Sequence, residues 1–130
     1  MNDAAPDPVA DLFASVGEPT LRAVVRAFYA AVPGDDVLGP MYPRDDLAGA
    51  EERLGDFLVM RFGGPARYME RRGHPRLRMR HAPFVIDQVA RDRWVLLMDR
   101  ALDAEWPGAA TRERARVFLR DVATFLVNAP

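Results

Sequence analysis

The residues best suited to chemistry lie in one stretch, residues 73–84, with the sequence Gly-His-Pro-Arg-Leu-Arg-Met-Arg-His-Ala-Pro-Phe. It holds both histidines of the chain, His74 and His81. Because Pro83 disfavours helical angles at the residue before it, a helix through this stretch should end at about His81. An imidazole at such a helix end, with Met79 and Phe84 as apolar neighbours, can coordinate a metal held mainly by other groups. An ordinary histidine at the surface or at the edge of the core is the competing interpretation.

Several other chemistries are poorly supplied. The chain has no cysteine, which excludes disulfides, iron–sulfur clusters and thiol catalysis. Its single serine, Ser15, has no histidine nearby in sequence, and Gly63-Gly64-Pro65 ends a helical pattern where a phosphate-binding loop would open one. A tetrahedral zinc site would need several carboxylates from elsewhere in the chain. Haem needs less, since the porphyrin supplies the in-plane nitrogens and His81 alone can supply an axial imidazole.

Arginines surround this histidine stretch: Arg71, Arg72, Arg76, Arg78 and Arg80. Guanidinium groups pair well with carboxylates, including the propionates of a haem. A solvated face and a patch that binds a phosphate backbone are the alternatives. The formal net charge of −1 and the lack of aromatic residues between these arginines disfavour nucleic acid as a partner.

Three aromatic residues with hydrogen-bond donors lie on apolar stripes of the sequence: Tyr29, Tyr42 and Trp94. A buried tyrosine or tryptophan usually needs a partner for its O–H or N–H. Each residue taken singly is most simply a core residue. Their presence together with one isolated histidine favours a ligand pocket.

Helical spacing of apolar residues predicts four substantial helices, over residues 19–32, 47–62, 84–101 and from about 111 to 126. No segment shows the alternation expected of a strand, so we predict an all-α fold. A short apolar piece before the first helix should end at Gly17, which is followed by Glu18-Pro19.

The segments between these helices also carry predictions. Residues 33–46 form a connector whose apolar side chains should fold onto the core, and residues 65–82 should be broken helix or loop. We expect residues 1–8 to be a disordered tail and residues 9–130 to form one domain.

Neither a membrane-spanning segment nor a signal peptide is expected. No apolar run approaches the roughly 18 residues that a span needs, and the first residues are acidic and polar. The sequence therefore predicts a cytoplasmic soluble protein without a membrane partner.

A resemblance to a known family rests on an ordered set of motifs: Arg26-Ala-Phe-Tyr29, Met41-Tyr42-Pro43, Asp45-Asp46-Leu47-Ala48-Gly49-Ala50-Glu51-Glu52-Arg53-Leu54, Gly63-Gly64-Pro65, the stretch 73–84 and Arg91-Asp92-Arg93-Trp94. In these motifs, over about residues 12–128, the chain resembles a truncated haemoglobin of the second group. The resemblance implies a globin-like two-over-two helical sandwich around haem b. The chain departs from the family pattern in having one glycine, Gly17, where a Gly-Gly pair is common, and Arg61-Phe62 where two aromatic residues are common.

The resemblance also implies roles for individual residues. His81 matches the axial histidine, which binds the iron. Tyr29, Tyr42 and Trp94 match the residues that donate hydrogen bonds to a bound gas.

Eight further residues are expected to contact the cofactor: Ala50, Arg53, Leu54, Phe57, Leu58, Met79, Arg80 and Phe84. The small Ala50 would leave room for ligand entry, Leu54 would cover the distal face with Phe57 and Leu58 behind it, and Arg53 would pair with a propionate.

We therefore expect a haem-b protein that reversibly binds O2, and also CO or NO, at ferrous iron, as a monomer or a small homo-oligomer. One alternative is a haem enzyme for NO dioxygenation or peroxide-dependent oxidation, served by an electron donor. An alternative of another class is a haem-free helical module that binds a partner through the arginine-rich stretch, with an affinity that falls as salt rises.

Overall fold

The structure is a computed structural model that describes residues 7–130. Within these residues lie six α-helices: α1 (Leu12–Ala31), α2 (Leu47–Arg61), α3 (Arg67–Arg72), α4 (Leu77–His81), α5 (Gln88–Glu105) and α6 (Ala109–Phe125). Two short 3-10 turns, Gly39–Met41 and Arg44–Asp46, precede α2, and this part of the chain has no β-strand. The predicted all-α fold is confirmed.

Helix α1 is divided at Gly17, whose φ of 79° and ψ of 163° are not helical. A positive φ strains residues that carry a Cβ atom, so glycine is the residue best suited to this break. Pro19 follows in the first turn of the longer segment, where its missing N–H is tolerated. The predicted break is confirmed, and a single glycine is sufficient to make it.

The long helices form two pairs around one core. Helix α1 packs on α2 and on α5, and α5 packs on α6. The most deeply buried side chains of these four helices include Val24, Phe28, Leu58, Val59, Met98, Leu102 and Leu119. The pairs α1–α2 and α5–α6 are thus joined mainly through α1 and α5, in the predicted two-over-two sandwich.

The connector of residues 33–46 is folded onto the core, as predicted. Leu38 is buried. The carboxylate of Asp35 accepts hydrogen bonds from the backbone N–H groups of Val37 and Leu38 at 3.0 and 2.8 Å. Arg93 of α5 also pairs with Asp35, at 2.6 Å, which ties the connector to that helix.

The predicted helix over residues 84–101 is wrong at both ends, because α5 runs from Gln88 to Glu105. Asp87 sets the start, since its carboxylate accepts a hydrogen bond from the backbone N–H of Ala90 at 2.9 Å and so caps the helix. The predicted helix end at His81 is confirmed by α4, and the interrupted character of residues 65–82 by the short helices α3 and α4.

The first six residues of the predicted tail, 1–8, lie outside the described residues. Asp7 accepts hydrogen bonds from the Arg61 side chain at 2.7 Å and from the backbone N–H of Val9 at 3.1 Å. Among the helices of the described residues, none has the length and hydropathy that crossing a membrane requires.

Candidate ligand-binding cavity

A cavity of about 530 Å³ is lined by α1, the connector and all five later helices. This volume is typical of a site for a small molecule or a cofactor. The structure brings ten of the predicted site residues to its wall: Tyr29, Tyr42, Ala50, Arg53, Leu54, Phe57, Arg80, His81, Phe84 and Trp94.

Two predicted cofactor contacts, Leu58 and Met79, do not line the cavity. Leu58 is buried in the helical core, one position beyond the cavity-facing Phe57. Met79 is 58% exposed, because it lies two residues from both Leu77 and His81, and positions two apart on a helix face different directions.

Thirteen of the 23 residues that line the cavity were not predicted as site residues, among them Tyr68, Leu77 and Arg91. Leu77 lies four residues before His81, so helical spacing puts both on one face of α4. Arg91 lies three residues before Trp94, a spacing that also puts two residues on one face of a helix, here α5. Tyr68 belongs to the short helix α3, and nothing in its local sequence indicates that its ring is buried.

His81 is held by a hydrogen bond within its own helix. Its Nδ1 atom lies 2.7 Å from the carbonyl oxygen of Leu77. Because a carbonyl oxygen only accepts, the Nδ1 atom carries the proton in this bond, and the lone pair of the other ring nitrogen is left free. Histidines that ligate metals are commonly oriented in this way.

A cluster of aromatic rings gathers the three predicted donors. The Tyr29 ring packs edge-on against Tyr42, with centroids 5.7 Å apart. Phe28 connects Tyr29 and Trp94, with centroid distances of 5.0 and 5.3 Å. The donors therefore come from three elements, α1, the connector and α5, and meet in one place.

The two phenols of this cluster stay protonated. Burial raises the pKa of Tyr29, and the neighbouring Tyr42 raises it further. Burial also raises the pKa of Tyr42, although the donors of Trp94 and Tyr29 partly oppose that rise. Both hydroxyl groups can thus act as hydrogen-bond donors at neutral pH.

Comparison with known proteins decides the family. A family model described as bacterial-like globin matches residues 11–128. The chain belongs to the bacterial-like globin family.

Relatives within this family agree in sequence and in structure. The globin is 37% identical over 91 residues to a group 2 truncated haemoglobin of Bacillus subtilis, covering 70% of this chain and 68% of the relative. The crystal structure of a haemoglobin from Chloroflexus aurantiacus superposes with a TM-score of 0.86 at 41% identity, covering 90% of this chain and 97% of the other. A thermostable haemoglobin from Thermobifida fusca gives a TM-score of 0.84 at 47% identity, covering 88% and 93%. These matches confirm the resemblance to truncated haemoglobins of the second group.

The cavity of this globin fits a haem. A free imidazole nitrogen at His81 can serve as the axial ligand, and most of the lining side chains are apolar. Arg53, Arg80 and Arg91 line the cavity, and the guanidinium group of each has N–H groups to spare for a carboxylate. Membership of the family therefore implies haem-based binding of a gas, and the residues present are consistent with it.

Four of the five arginines of the arginine-rich stretch, Arg71, Arg72, Arg78 and Arg80, are engaged within the molecule. Arg71 and Arg72 donate to the buried carboxylate of Asp56 at 3.0 and 2.7 Å, and Arg80 donates to the backbone carbonyl oxygen of Arg72 at 2.7 Å. Arg78 stacks on the ring of Phe125, with 5.3 Å from its guanidinium carbon to the ring centroid. This pairing disfavours the alternative in which the stretch is a free docking surface for a partner.

Proposed function

We propose that this globin is a haem-b protein that reversibly binds O2, and also CO or NO, at ferrous iron ligated by His81. The observation that carries the proposal is the single imidazole with a free nitrogen in the same cavity as three aromatic donors. When bound, haem would supply a ferrous iron that can bind such diatomic gases.

His81 would occupy the proximal side. Its bond to the carbonyl oxygen of Leu77 fixes the imidazole as the tautomer whose other nitrogen can bind iron, and it limits rotation of the ring. Arg53, Arg80 and Arg91 would receive the propionates, and Leu54 and Phe57 would exclude water from the apolar part of the cavity.

Tyr29, Tyr42 and Trp94 would form the distal side. Their O–H and N–H groups would donate to a bound ligand that carries partial negative charge, either directly or through the Tyr42 hydroxyl, and so slow its release. A hydrogen bond to a charged group contributes about 1.5–3 kcal/mol. Several donors together favour long retention of O2.

The visible spectrum of the purified protein tests the proposal, in the oxidised, dithionite-reduced and CO-bound forms. We expect a Soret band that shifts on reduction and again with CO. His81→Ala should abolish the spectrum of a histidine-ligated ferrous haem. His74→Ala is the matched control, since the His74 side chain is exposed and away from the cavity.

Two results would overturn the proposal. One is a wild-type protein that stays colourless after haemin is added. The other is a ferrous spectrum that is the same in His81→Ala and in the wild type.

A further inference from the structure

Helix α4, which carries His81, cannot hold its own position. It has five residues, fewer than an isolated helix needs to be stable in water. No side chain caps its first turn, and Arg76 before it has a left-handed φ of 44°. The placement of the imidazole must therefore come from contacts between α4 and the rest of the molecule.

On the upstream side, the contact is local. The Arg80 guanidinium donates to the carbonyl oxygen of Arg72 at 2.7 Å and to that of His74 at 3.1 Å. These bonds fold residues 72–80 onto themselves, but they leave the segment that follows His81 unrestrained.

On the downstream side, the Arg78 side chain stacks on Phe125 of α6, and the backbone that follows His81 is contacted by Asn128, which lies beyond the end of α6. Its side-chain oxygen accepts a hydrogen bond from the backbone N–H of Ile86 at 2.9 Å. Its side-chain nitrogen donates to the carbonyl oxygen of Phe84 at 2.9 Å, with a longer contact of 3.4 Å to that of His81. The backbone N–H of Asn128 completes the set by donating to the carbonyl oxygen of Ile86 at 2.9 Å.

An amide side chain is required for this arrangement. One end of the Asn128 amide faces carbonyl oxygens and the other faces an N–H, so donor and acceptor are both used. Aspartate would keep the acceptor but place a carboxylate oxygen against the Phe84 carbonyl, and alanine would remove both.

We propose that Asn128 is a positioning residue for the axial histidine. By closing the loop of residues 81–86, whose Phe84 and Ile86 side chains line the cavity, it fixes the end of α4 from which the imidazole projects. This inference rests on the proposed function, because the role of Asn128 is exerted through His81.

The test compares haem-loaded wild type with Asn128→Ala and Asn128→Asp. Resonance Raman spectra of the reduced proteins give the iron–histidine stretching band, and transfer to an excess of a high-affinity haem acceptor gives the rate of haem loss. Asn128→Ala should shift or broaden the band and raise the rate about fivefold, the effect of losing about one net hydrogen bond. Asn128→Asp should change both at least as much. Asp121→Ala, an exposed change on α6 away from the cavity, is the control and should change neither.

Thermal unfolding of the same proteins separates positioning from general stability. If Asn128→Ala lowers only the melting temperature and leaves the band and the rate of haem loss as in the wild type, the inference is overturned. If the wild type takes up no haem, or takes it up without His81, the proposed function fails and the inference fails with it. The histidine spectra described above distinguish these two failures.

Discussion

Tyr42 occupies the central place among the three donors of the cavity. Its ring packs against Tyr29, and the donors of both Tyr29 and Trp94 lower its pKa against the effect of burial. A donor directed at the Tyr42 oxygen leaves the Tyr42 hydroxyl hydrogen free for a ligand. Tyr42 is therefore expected to control ligand release, with Trp94 and Tyr29 acting partly through it.

Tyr42→Phe should raise the O2 dissociation rate about tenfold or more, because it removes a charge-assisted hydrogen bond and also the acceptor that orients its neighbours. Trp94→Phe should raise the rate by a smaller factor. In the double variant the change in the activation free energy of O2 release should be smaller than the sum of the changes in the two single variants. Stopped-flow O2 displacement by CO measures all three rates.

The second tryptophan provides the control for this series. Trp106 is buried and donates to Thr111 at 2.9 Å, and it does not line the cavity. Trp106→Phe should alter stability and leave the O2 dissociation rate unchanged. Additive effects of Tyr42→Phe and Trp94→Phe would contradict the central role of Tyr42.

At the scale of elements, a charge cluster joins α1, α2 and α3. The carboxylate of Asp56 on α2 is fully buried and accepts from Arg22 of α1 at 2.8 Å, as well as from Arg71 and Arg72 of α3. A Cβ atom added at Gly55 would overlap the Arg22 guanidinium group, which would have to move. The glycine therefore makes the space through which Arg22 reaches Asp56.

The effect of Gly55→Ala on the free energy of unfolding should therefore change sign when Arg22 is removed. In the wild type, Gly55→Ala should lower the free energy of unfolding by about 1 kcal/mol, since displacing a charged hydrogen bond outweighs the higher helix propensity of alanine. In an Arg22→Ala background no guanidinium is displaced, so the same change should raise it by about 0.5–1 kcal/mol. Urea unfolding of the wild type, the two single variants and the double variant measures these free energies. An effect of Gly55→Ala with the same sign in both backgrounds would contradict the proposed contact with Arg22.

The chain departs from the family pattern at two places, the break within α1 and the end of α2. At both places the neighbouring residues compensate for the departure. Gly17 alone provides the positive φ. Arg61, at a position where the family often has an aromatic residue, stacks its guanidinium 4.8 Å from the centre of the Phe118 ring. The contact between α2 and α6 thus keeps an aromatic partner.

For the whole molecule, Asp56 should govern much of the response to acid. Burial raises its pKa, but the hydrogen bonds from Arg22, Arg72 and Arg71 outweigh that effect and hold the pKa below its ordinary value of 3.8. A carboxyl with a lowered folded-state pKa stabilises the fold above its unfolded pKa. That contribution is lost as the pH falls through the folded-state pKa.

Asp56→Asn should lower the free energy of unfolding at pH 7 by about 3 kcal/mol, because it removes the shared partner of three guanidinium groups. The difference between wild type and variant should shrink as the pH falls below about 4, because the unfolded wild type takes up a proton at Asp56 there while the folded form still keeps the carboxylate ionised. Denaturant unfolding at several pH values measures the difference in free energy of unfolding. Titrating groups that behave alike in both proteins do not affect this difference. A difference that stays constant down to pH 3 would show that folding does not lower the pKa of Asp56.

Much of the fold follows from local sequence. The apolar stripes of α1 and α2, the break at Gly17 and the end of α4 at His81 each depend on residues within one or two helical turns. The predicted start of α5 is too early because residues 84–86 are apolar enough to continue the helical pattern, whereas Asp87 caps the helix.

The site is only partly predictable, for a physical reason. Spacing on one helix indicates that Leu77 accompanies His81, and the same argument excludes Met79. Other contacts depend on how the helices pack. Arg22 bonds to Asp56, 34 residues away, and Asn128 bonds to Phe84, 44 residues away. No local pattern encodes those contacts.

The contact made by Asn128 has a consequence for the order in which the protein matures. His81 is synthesised 47 residues before the asparagine that closes its loop. A nascent chain that has passed α4 therefore contains His81, the proposed iron ligand, but not Asn128, the proposed positioning residue. Loading with cofactor should become stable only after α6 and the residues following it have left the ribosome.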